Sequence, residues 1–142
     1  LTPLIIIAAI GGISISIQAQ FIGLMDKQIG TLESIFITYG SGGLLIGLVM
    51  LLQRGGNLVA WQGVPWYVLL SGVLGIVIVG TIGYSTARLG LVSALTIIVV
   101  AQFTTGAFLD HFGILGADFH PIDLNRIVGI VFLLLGAWLV VR

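Results

Sequence analysis

The sequence contains no cysteine. That removes disulfides, iron–sulfur clusters and thiol nucleophiles from the chemistry open to it. Charge is nearly as scarce. Five Lys/Arg and five Asp/Glu make up 7% of the 142 residues, where a water-soluble domain carries about 25%. The two signs cancel, which leaves no basic footprint for nucleic acid. Catalytic signatures are missing as well. His111, Asp118, His120 and Asp123 fall in one loop, but without HxxxH or HExxH spacing. There is no P-loop, no dinucleotide-binding glycine pattern between a strand and a helix, and no nucleophile–base pair. No enzyme activity, cofactor or metal is expected.

What the chain does have is apolar surface. Hydrophobic residues make up 58% of it and the mean hydropathy is +1.25. A chain this short cannot hide so much in one water-soluble core, so its solvent is lipid. Five apolar runs, at 4–25, 31–52, 66–87, 91–109 and 124–141, each approach the ~20 residues that cross ~30 Å of hydrocarbon as a helix. They are about twice the length of barrel strands and do not alternate. In hydrocarbon the backbone amides must find partners within the segment. The predicted fold is all-α: one polytopic transmembrane domain of five helices over residues 1–142. Short links carry most of the charge, at Asp26-Lys27, Arg54, Arg88 and from Asp110 to Arg126. The first residue is Leu1 rather than Met, so preceding residues are expected. The run at 4–25 lacks a basic leader and reads as a span, not a signal peptide.

Local signals agree. Thr31 is expected to cap the second helix, with Glu33 in its first turn facing the dipole, and Asp123 to cap the fifth. Trp61, Trp66, Tyr67 and Trp138 stand at span ends, as interfacial anchors do. Gly40, Gly43 and Gly47 on the second span follow helical spacing, as do Ser71, Gly75 and Gly83 on the third. Such stripes let helices in lipid approach closely, so both are expected to pack.

Positive charges are nearly balanced across the membrane. Arg54 and Arg126 lie on the side of the N-terminus; Lys27, Arg88 and Arg142 lie opposite. Three against two is a weak orientation signal. It leaves open one fixed topology or insertion both ways round with antiparallel pairing. An antiparallel pair would make a ten-helix unit with the inverted repeat used for alternating access.

Polar side chains inside spans usually face protein or a cavity. Ser14 and Gln18 share one face of the first helix at i and i+4, with Gly11 on the same stripe. Gln102, Gly106 and Asp110 follow at successive i+4 steps on the fourth. These stripes are the candidate substrate path, because an amide offers donors and an acceptor without fixed charge. Asp110, its neighbour His111, and Glu33 are the candidates for proton coupling or gating. Glu33 also reads as a first-turn dipole partner, and Asp110 as an ion-pair partner of Arg126 or Arg88. Asp26 reads as a turn residue, so the first helix is expected to lack a buried carboxylate.

Several elements resemble a known family. Pro65-Trp66 precedes the third span, Arg88-Leu89-Gly90 forms a turn, Ala101-Gln102 lies within the fourth span, and Asp110-His111-Phe112-Gly113 closes it. With the Gly-rich GGISISIQAQ of the first span, they resemble the small YdcZ-like branch of the drug/metabolite transporter superfamily, over essentially the whole chain. One departure is Ile22, where that family is expected to favour an Asn. The resemblance implies a bacterial inner-membrane exporter, kin to ten-helix transporters built from two inverted five-helix halves. The expected partners are the lipid bilayer, a second copy or a paralogous half, and a small polar or amphipathic substrate. A passive dual-topology channel and a non-transporting assembly partner are the competing readings.

Overall fold

The computed structural model describes Thr2–Arg142, and no strand occurs among those residues. Its helices are α1 (Thr2–Ile29), α2 (Thr31–Leu52), α3 (Ser71–Leu89), α4 (Leu91–Phe112) and α5 (Leu124–Val141). A 3-10 turn over Trp66–Leu70 leads into α3, so five segments are long and apolar enough to cross a membrane. The bounds of α2 and α5 match the expected runs. The other three differ: α1 runs past Met25 to Ile29, α3 starts as α-helix only at Ser71 and runs to Leu89, and α4 runs past Leu109 to Phe112. Charged residues expected at the edge of a link therefore sit on helical faces.

The chain forms two compact units, Leu1–Arg88 and Leu89–Arg142. In the first, α1 folds back into α2 through a single residue. Gly30 adopts φ +105° there, a conformation that side chains with a Cβ resist. Ala19, Ile22, Gly23 and Asp26 form the buried stripe of α1, at i, i+3, i+4 and i+7. Val79, Ile82, Gly83 and Thr86 do the same on α3. The α1–α3 seam is very tight. A Cβ on Gly83 would stand 2.7 Å from Ile22 Cγ2, and one on Gly23 would stand 2.7 Å from Thr86 Cγ2. In lipid no hydrophobic driving force joins helices, so close backbone approach at small residues takes over. Most other apolar side chains face outward, Leu4, Phe36 and Leu51 among them.

In the second unit α4 and α5 lie antiparallel. Gly113 ends α4 in the left-handed region at φ +60°, its N–H donating to Leu109 O. The connection is then tied back to the end of α4. His120 N–H donates to Asp110 O at 2.9 Å, and Ile122 N–H donates to His111 Nδ1 at 3.1 Å. Asp123 caps α5 as expected, accepting from Arg126 N–H at 2.9 Å. Thr31 does not cap α2. It is the first helical residue, after Gly30, and its hydroxyl donates to Asp26 instead.

Candidate functional site

The α4 stripe opens onto α5. Gln102, Gly106 and Asp110 line one wall of a groove of about 710 Å³, and Arg126, Gly129 and Leu133 line the other. The spacing explains the alignment: three residues at i+4 steps stay on one helical face. Gly106 leaves the middle of the groove open, since a Cβ there would meet nothing within 4 Å. At one end Arg126 Nη1 lies 3.5 Å from Asp110 Oδ2, with each side chain 41% exposed. Arg126 Nη1 also lies 3.5 Å from His120 O. Of the two partners open to Asp110 in the sequence, the structure selects Arg126. Two turns away, Gln102 makes no side-chain hydrogen bond among the described residues.

His111, beside Asp110, is engaged with the connection: its Nδ1 accepts from Ile122 N–H. That geometry requires an unprotonated Nδ1, so the ring here organises backbone. In the first unit, Ser14 and Gln18 are exposed on α1. The Ser14 hydroxyl donates to Ile10 O at 2.9 Å, whereas Gln18 makes no side-chain hydrogen bond among the described residues. Glu33 is exposed on the first turn of α2, beside Ile29, Leu32, Phe36 and Ile37. Gly75 lies against the Tyr39 ring and hydroxyl, and Gly83 against Ile22. Ser71 is exposed, and a Cβ on Gly40, Gly43 or Gly47 would meet nothing within 4 Å.

One site escaped the sequence reading. Asp26 is not a turn residue, and the expectation that the first helix lacks a buried carboxylate is wrong. Because α1 continues to Ile29, Asp26 falls on its buried stripe, with a side chain 2% exposed. Thr31 Oγ1 donates to its carboxylate, 2.9 Å from Oδ1 and 3.2 Å from Oδ2, and Arg88 Nη1 lies 3.6 Å from Oδ2. The Arg88 guanidinium also covers the Tyr84 ring at 3.5 Å and donates to Tyr84 O at 3.0 Å. A buried carboxylate must be paired and hydrogen-bonded, and three helices converge to do this. The available signal was the i+3, i+4, i+7 run Ala19, Ile22, Gly23, Asp26. Nearby on α3, the buried Thr86 hydroxyl has no hydrogen-bond partner among the described residues; on α2 the same holds for Thr38.

The model of the family described as "Putative inner membrane exporter, YdcZ" matches residues 3–139. The chain belongs to that family. The YdcZ match spans all five helices and makes this a multi-pass protein of the inner membrane, in a family of transporters rather than enzymes. No curated protein and no solved structure matches the chain. In this YdcZ-family chain, Ile22 has a packing role. It is fully buried, and its Cγ2 fills the space that Gly83 leaves open.

Proposed function

We propose that this YdcZ-family chain exports a small polar or amphipathic molecule by alternating access, and that the α4–α5 groove is part of the substrate path. The working unit is a dimer, formed with a second copy inserted antiparallel or with a paralogous half. One observation carries the reading: a groove of about 710 Å³ within a membrane-spanning helix pair holds an amide, Gln102, with no side-chain hydrogen bond among the described residues. A polar group in lipid without a partner is costly, and intramembrane polar residues usually face a cavity or pathway. The ion pair of Asp110 and Arg126 at the mouth supplies charge that can rearrange when a ligand enters. Gln18 on α1 has the same open valence, and is the second amide assigned to the path.

The test compares cells producing the chain with cells producing Gln102→Ala or Gly106→Leu at equal protein level. Small molecules released into the medium are followed by untargeted mass spectrometry. The expected result is a released compound whose efflux saturates and falls about tenfold in both variants. Efflux rising linearly with internal concentration identifies a passive channel. Identical media from all strains, including cells without the chain, defeat transport altogether.

A further inference from the structure

The charge inventory of the α4–α5 groove narrows the chemistry of its ligand, on the reading that the groove is a transport site. Its charged end holds one cation and one anion, joined by a single contact of 3.5 Å between Arg126 Nη1 and Asp110 Oδ2. Neither group is saturated. A guanidinium has five N–H donors, and among the described residues only Nη1 of Arg126 is engaged, with Asp110 and with His120 O. Asp110 Oδ1 receives no donor among the described residues. Beyond this pair the wall is apolar, through Phe103, Ile130 and Leu133, until Gln102 supplies an amide. Gln102 and Asp110 are eight residues apart, about 12 Å along the helix.

Consider each ligand charge type in turn. A cation that takes Asp110 draws it from Arg126, and the guanidinium loses its ion-pair partner. An anion that takes Arg126 strands the Asp110 carboxylate in the same way. Removing one partner strands the other; at 41% exposure the cost is smaller than in a buried pair but has the same sign. A molecule carrying both charges strands neither group. Its acid group occupies the free N–H donors of Arg126, its ammonium pairs with Asp110, and the site stays neutral throughout.

We propose that the groove binds a small zwitterion with an apolar body: the charged end exchanges partners with Asp110 and Arg126, the body lies along Phe103, Ile130 and Leu133, and the Gln102 amide meets the far end.

The test uses three probes that share one body and differ only in charge: 4-fluorophenylalanine, 4-fluorophenylethylamine and 3-(4-fluorophenyl)propionate. Binding to the full chain in lipid nanodiscs is read by fluorine NMR line broadening, with empty nanodiscs subtracted. The expected result is at least tenfold tighter binding of the zwitterion than of either singly charged probe. Asp110→Asn and Arg126→Gln each remove that preference, and Gly106→Leu, which fills the groove, removes binding. Exchanging the pair (Asp110→Arg with Arg126→Asp) restores the preference and controls for folding. Tighter binding of the amine through Asp110, or of the propionate through Arg126, overturns the zwitterion assignment while the groove survives as a site. Binding of any probe that is unchanged in Gly106→Leu, or no binding above empty nanodiscs, overturns the groove itself.

Discussion

Arg88 reaches from α3 to within 3.6 Å of Asp26 on α1, and joins a half-exposed guanidinium (51%) to a carboxylate that is almost fully buried (2%). The asymmetry decides what each substitution does. Arg88→Gln leaves a buried carboxylate with Thr31 as its one remaining side-chain partner among the described residues. Breaking a fully buried pair costs about 3–5 kcal/mol. Water reaches Arg88, so the expected loss lies between that and the roughly 0.2–1 kcal/mol of an exposed pair, at about 1–2 kcal/mol. Asp26→Asn removes the charge that needs a partner, so the double variant Asp26→Asn/Arg88→Gln should recover part of the loss. Reversible unfolding in mixed detergent micelles reads this directly. Simple addition of the two single losses would show that the residues do not act as a pair.

The glycines divide into two groups with opposite expectations. Gly83→Ala sets a Cβ 2.7 Å from Ile22 Cγ2, and Ile is stiff about χ1, so the seam must open. An overpacking loss of about 1–3 kcal/mol is expected. Gly43→Ala meets nothing within 4 Å and replaces a poor helix former with the best one. It should leave the unfolding midpoint of the single chain unchanged or slightly higher. Equal losses at both positions would contradict this division.

His111 can be separated from proton chemistry by asking what replaces it. Its Nδ1 accepts from Ile122 N–H, eleven residues along the chain. Asn offers an acceptor oxygen at nearly the same reach, whereas Leu offers none. Hydrogen exchange at the Ile122 amide should quicken about fivefold to tenfold in His111→Leu, the effect of losing a bond worth about 1–1.4 kcal/mol. In His111→Asn it should stay near wild type. If Asn and Leu behave alike, the acceptor role is refuted.

Pairing of antiparallel copies predicts a labelling pattern. The absence of cysteine leaves a clean background for single-cysteine variants at Gly56 and Ala117, which counting five spans puts on the same side of the membrane. An impermeant thiol reagent added to intact cells should label about half of each, because both orientations are present. Full labelling or full protection of both positions would establish one orientation and exclude the antiparallel homodimer.

Much of this was legible in one dimension. The scarcity of charge identified lipid as the solvent, and lipid demands helices of a set length, so the number and type of spans followed from hydropathy. Asp123 was recognisable as a cap because capping is local. The stripe of Gln102, Gly106 and Asp110 was recognisable because i+4 spacing fixes a shared face, whatever stands opposite. Tertiary structure decided the partners. It gave Asp110 to Arg126 and Arg88 to Asp26, brought Gly83 against Ile22, and left open space beside Gly40, Gly43 and Gly47, where a Cβ would meet nothing within 4 Å among the described residues. The physical reason is the solvent itself. A helix in water reveals its buried face by an apolar stripe, but a helix in lipid is apolar all round. Which face packs then depends on shape and on a few polar contacts between residues far apart in the chain, and only the folded chain brings those together.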